Sequence, residues 1–252
     1  MNMNYNDNNP MSYSARDAAT SSYDMGLRGY MLKVYNYMAS ALALTGMTAY
    51  LGANFAPLAE ALFRMQGERA VGLTGLGWLV TFAPIIFILV MNMGLNRLSL
   101  TALQGTFWAY AGVMGLSLSS LLFAYTGASI ARAFFITAIV FGSMSMVGYT
   151  TKRDLTGMGH FMMMGLWGVI IASVLNIFLH SSGLQLVVSI LCVVIFTGLT
   201  AYDTQMIKGL YYQAASDRTY LAKAAIMAAL RLYLDFINLF IQMLQFFGDR
   251  RN

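Results

Sequence analysis

The chain has 252 residues, 58% hydrophobic and only 10% charged, with a mean hydropathy of +0.62 and a formal net charge of +5. Soluble domains carry about 25% charged residues, so too little charge is present here to coat a soluble globule. The fifteen Lys and Arg are scattered between apolar runs rather than blocked together, which argues against a nucleic-acid partner and for the basic loops of an integral membrane protein; the single cysteine, Cys192, excludes an intramolecular disulfide.

Residues 1–29 are polar, rich in Asn and Ser, and read as a disordered tail. They lack the basic start and short apolar stretch of a cleaved signal peptide, and Asp7, Asp17 and Asp24 argue against a transit peptide. The first apolar run would then act as an uncleaved anchor. Residues 30–248 form the membrane domain and 249–252 a short charged C-terminus.

Seven apolar runs follow, at roughly 33–56, 78–96, 103–125, 130–150, 159–179, 185–207 and 224–247. Each is near the ~20 residues needed to cross a bilayer. They are too long and unbroken for barrel strands, and only helices satisfy their backbone in lipid. The expected architecture is therefore an all-α integral membrane protein with seven transmembrane helices, in contact with the lipid bilayer along its length. The longest connector, around 57–77, is the place for a small surface element. Small residues inside the spans, such as Ala111 with Gly115, Gly142 with Ser143 and Gly165 with Gly168, suit close helix packing.

With the N-terminus cytoplasmic, Arg16, Arg28, Lys33, Arg97, Lys152, Arg153, Lys208, Arg218, Lys223 and Arg231 lie inside, ten against the five of Arg64, Arg69, Arg132, Arg250 and Arg251. The positive-inside rule favours that orientation. Arg250 and Arg251 pull the other way, and a last helix that does not fully cross would relieve the conflict.

Ten acids occur, and only Asp203 and Asp235 fall inside apolar spans. A charged side chain at that depth costs roughly 2.5–3.5 kcal/mol on insertion scales and is a functional candidate. Their midpoint is residue 219, in the polar turn 216–219. Two helices running to that turn place both carboxyl groups about 24 Å from it, at equal depth. On the seventh span Arg231, Asp235, Asn238, Gln242, Gln245 and Asp249 are spaced 4, 3, 4, 3, 4, one helical stripe. On the sixth, Thr197, Thr200 and Thr204 cluster beside Asp203. A polar stripe on an apolar helix faces protein or water rather than lipid, so a polar seam between the two helices is expected.

Two carboxyl groups held together out of water share a proton and titrate as a pair. Protonated, the pair joins its helices by a hydrogen bond; ionised, it repels or captures a cation, and Ca2+ takes carboxylate oxygens. Asp203 and Asp235 are thus the candidate Ca2+ and proton site. The alternative is structural: pairing with Arg231 or Arg97 that fixes helix register.

The segments AYDTQMIK at 201–208, LYLDFINLFIQMLQFFG at 232–248 and GYTTKRDLT at 148–156 resemble the signature of the Bax inhibitor-1 family, in its bacterial YccA/YetJ-like branch. The resemblance covers about residues 30–248. It implies six helices around a central seventh and a pH-sensitive Ca2+ leak whose sensor is an aspartate pair matching Asp203 and Asp235. It also implies a basic latch near the cytoplasmic end of the second helix, for which Arg97 is the candidate. A bacterial cell inner membrane is the expected location. A second reading is a non-transporting regulator that binds a partner such as a membrane protease. Catalysis is not expected: GxxxxGK[ST], GxSxG and HExxH are all missing, no GxGD accompanies Tyr202–Asp203, and His160 and His180 lie at opposite ends of the fifth span. No cofactor is expected beyond Ca2+ as the transported or bound ion.

Overall fold

The structure is a computed structural model that describes residues 10–67, 69–95, 97–214 and 217–251, with side chains from Met25 onward except at Arg69 and Ala214. In chain order the elements are α1 (Pro10–Asn54), α2 (Ala56–Leu62), β1 (Phe63–Gln66), β2 (Arg69–Leu73), α3 (Gly75–Gly94), α4 (Leu100–Leu118), α5 (Ser120–Ala124), α6 (Gly127–Thr150), α7 (Thr156–Leu179), α8 (Ser182–Ala214) and α9 (Arg218–Phe247). Among the described residues six helical stretches are long and apolar enough to cross a membrane: Gly75–Gly94, Leu100–Ala124, Gly127–Thr150, Thr156–Leu179, Ser182–Gln213 and Arg218–Phe247. The chain is an all-α integral membrane protein apart from one small hairpin.

The helix starts are written in the connectors. Thr74, Ser99, Thr126 and Asp217 each cap a helix by accepting hydrogen bonds from backbone N–H groups two or three residues on. The connector expected to hold a surface element folds as α2 and the β1–β2 hairpin, which turns at Gly67 with φ of 65°, a left-handed conformation that glycine adopts without strain.

Helix α1 begins at Pro10, so the tail boundary at residue 29 falls inside a helix; residues 1–9 lie outside the described residues. Proline is tolerated at a first helical position, and a helix held by packing further along extends outward cheaply because each added residue forms a bond without a new nucleus. At one end of the bundle Tyr30 packs on Tyr211, and at the other Gly52 packs on Ser119, so α1 runs its full length.

At the centre lies α9. Of its most apolar stretch 72% is buried, against 6% in α7 and 17% in α3. It packs on α8, α6, α1 and α4, while α3 leans mainly on α4 and α7 on α8. The expected ring of six is therefore an inner ring of four with α3 and α7 outside it. Helices as apolar as α3 and α7 can turn most of their surface to lipid. Two glycines mark close approaches between helices. A side chain at Gly148 would run into the backbone of Ala201, and one at Gly115 into Thr45 and Thr48, whereas Gly142 and Gly168 face open space. Small residues let α6 meet α8 and α4 meet α1.

Candidate functional site

Helices α8 and α9 are antiparallel, and two side-chain pairs fix their register. Arg231 Nη1 lies 3.3 Å from Asp203 Oδ1, and Ser189 Oγ donates to Gln245 Oε1 at 3.3 Å. Both pairs are symmetric about residue 217, the cap of α9, not about 219. Asp203 is thus level with Arg231, and Asp235 stands one turn deeper. Equal depth is corrected to a stagger of about 6 Å. The two buried carboxyl groups nevertheless lie close enough to interact. Side chains on a helix lean toward its N-terminus, so on antiparallel helices Asp203 leans inward and Asp235 outward, and the stagger closes. Asp203 is 5% exposed and Asp235 4%.

Arg231 is the partner of this pair. Its side chain is 45% exposed, and Nη1 also reaches Met206 Sδ at 2.9 Å. Among the described residues it makes the one salt bridge to an aspartate. The structure does not bring Arg97 to the pair. Arg97 is exposed in the connector between α3 and α4, its N–H donating to Gly94 O, because α3 lies outside the inner ring.

The remaining seam residues divide. Thr204, fully buried, hydrogen-bonds Ser145 of α6 at 2.9 Å, and Ser145 hydrogen-bonds Tyr35 of α1, so a chain of three hydroxyls ties three helices together beside Asp203. Thr200 is also buried but donates to Phe196 O in its own helix, as Asn238 does to Leu234 O. Gln242 Oε1 and Asp235 Oδ2 are buried without a hydrogen-bond partner. Asp249, at the end of the stripe, accepts from Ser129.

Sequence reasoning missed Tyr35, Ser145, Thr45 and Tyr233. Thr45 donates to Ala111 O at 2.9 Å and hydrogen-bonds Tyr233 at 2.7 Å, two residues before Asp235. Single hydroxyls inside a span carry no spacing signal, because Ser and Thr can satisfy themselves on their own helix.

One end of the bundle is polar close to the pair. Gln205, two residues past Asp203, donates to Arg153 O and accepts from Leu155 N, and Lys208 donates to Tyr149 O. In that connector the Thr156 hydroxyl, and then its N–H, hold the exposed Asp154 carboxyl below its ordinary value. No group of three or more His, Cys, Asp or Glu among the described residues forms a metal-binding cluster. His160 and His180 are exposed at the two ends of α7.

Residues 27–252 match the family model described as inhibitor of apoptosis-promoting Bax1. The chain is 50% identical to protein RP147 of Rickettsia prowazekii over 92% of this chain and 94% of the relative. It is 43% identical to a protein of Caulobacter vibrioides over 93% and 94%. It is also 43% identical to the inner membrane protein YbhL of Escherichia coli over 90% and 94%. With the model spanning nearly the whole chain and relatives this similar, the protein belongs to the Bax inhibitor-1 family.

Proposed function

We propose that the chain is a pH-sensitive Ca2+ leak of a bacterial inner membrane, gated by the proton that Asp203 and Asp235 share. The observation that carries this reading is the meeting of the two carboxyl groups inside an apolar bundle, with one oxygen of Asp235 left without a partner. With one proton on the pair, Arg231 and the aspartates sum to zero charge. Loss of that proton leaves a net negative charge out of water, which is costly. It is relieved by drawing in a cation or by parting α8 from α9. Two carboxylates fall short of the roughly six to eight oxygens that hold resident Ca2+; they suit an ion in transit that keeps part of its water. Protons and Ca2+ then compete, and flux rises from acid to neutral pH.

In this reading α1 is the seventh span. Its run of the bundle's full length supports that, as does its packing on α4 and α9. The N-terminus then lies in the cytoplasm with the ten basic residues, and the similarity to the inner membrane protein YbhL supports the location. Both ends of α9 are anchored, by Lys223 to Leu95 O and by Asp249 to Ser129, so α9 crosses fully and the terminal arginines lie on the far side.

Proteoliposomes loaded with a Ca2+ dye test the proposal. Flux should rise between acid and neutral pH, and Asp203→Asn with Asp235→Asn should remove the dependence. Flux with the same pH profile in the double variant contradicts the gate. Folded protein with no flux at any pH would favour the non-transporting regulator of a membrane partner.

A further inference from the structure

Helix α1 leans on α4 and α9, and α6 leans on α8 and α9. Between α1 and α6 a cleft opens along the bundle, floored by Phe236 of α9. It consists of two cavities end to end. One, of about 770 Å3, extends along α1 from Arg28 to Leu42. The other, of about 800 Å3, extends from Ala39 to Asn54 and closes at Arg251. They meet at Ala39, Leu42, Phe134 and Phe236.

Two features say what fits. At 1.5 Å per residue each cavity is about 21–23 Å long. That is the depth of one leaflet, half of a bilayer about 40–45 Å thick including headgroups. Each also has an exposed arginine at its outer end, and neither arginine makes an ion pair with a described residue. An arginine fork matches a phosphate. Met31, Met38, Phe134 and Phe141 along the walls are apolar, and methionine adapts to an irregular chain.

We propose that the α1–α6 cleft is a binding site for anionic glycerophospholipid. One lipid enters from each leaflet, with an acyl chain along the cleft and the phosphate at Arg28 on one side and at Arg251 on the other. Neither Asp203 nor Asp235 lines the cleft, and the proposal stands whether or not the protein conducts ions.

The test is native mass spectrometry of the full chain, extracted from vesicles with equal amounts of chain-matched phosphatidylglycerol and phosphatidylcholine. The wild type should retain phosphatidylglycerol in preference. Arg28→Gln with Arg251→Gln should lower that preference, about fivefold per arginine. Gly142→Phe should reduce retention of both lipids by filling the first cavity; position 142 has open space for a side chain, so the fold tolerates it. Ala39→Trp at the junction is the second filling variant. Retention of the two lipids in vesicle proportion by the wild type, or undiminished retention in both filling variants, overturns the proposal.

Discussion

Arg231 pairs with Asp203 across two helices at 3.3 Å and precedes Asp235 by one turn on its own helix. An arginine this exposed is discounted by solvent, and partly exposed pairs contribute about 0.2–1 kcal/mol. Arg231→Gln should lower unfolding stability by about that much, with Arg231→Lys intermediate. In a double-mutant cycle Asp203→Asn should cost less in the Gln background, and thermal unfolding in detergent reads both. Additive losses would show that the two residues do not interact.

Gly148 sets how near α6 comes to α8. Gly148→Val drives a side chain into the Ala201 backbone and should destabilise by about 2–3 kcal/mol or more. Gly142→Ala, with open space, should be neutral or stabilising by about 0.4–1 kcal/mol. Thermal unfolding of the two variants side by side separates close approach from glycine content.

Six of the seven expected spans were legible because apolar length is the strongest signal in a membrane sequence; the run at 33–56 is not among the six. The aspartate pair was legible because only two acids interrupt those spans and one lies on a periodic stripe. Register was legible to within a turn. Counting to the polar turn centred the hairpin at 219, whereas α9 begins at its Asp217 cap, and that shift of two residues turns level carboxyl groups into a staggered pair. The family resemblance points to Arg97 at the end of the second span, but position along a helix does not tell whether that helix reaches the core. The hydroxyls of Tyr35 and Ser145 were illegible because their meaning lies in which helices cross, a tertiary fact.

Ser145 is the middle of the Tyr35–Ser145–Thr204 chain. Ser145→Ala removes a partner from both neighbours, and a buried hydroxyl left unpaired costs about 1–3 kcal/mol. The expected loss of stability lies in that range, while Ser143→Ala, exposed on the same helix, should change it little. Equal effects from the two substitutions would mean that the chain of hydroxyls carries no weight.

Asp154 gives a pH effect outside the membrane. Its carboxyl is held below the ordinary value by the Thr156 hydroxyl first and the Thr156 N–H second. A depressed carboxylate stabilises the fold above its unfolded value, and that contribution disappears as pH falls through the folded value. The start of α7 should therefore loosen only in acid. Carbon-13 titration of Asp154 should show a low midpoint that moves up toward the ordinary value in Thr156→Ala; an unmoved midpoint would mean that the hydroxyl is not its cause.

The shared proton itself is most directly read by infrared spectroscopy of the carboxyl groups during a pH titration. The account predicts one protonated carboxyl band from the pair in acid to mildly acid solution. That band should be lost as pH rises, lost at lower pH when Ca2+ is present, and altered by either Asp203→Asn or Asp235→Asn. Two carboxylates ionised throughout, or a band indifferent to Ca2+, would contradict it.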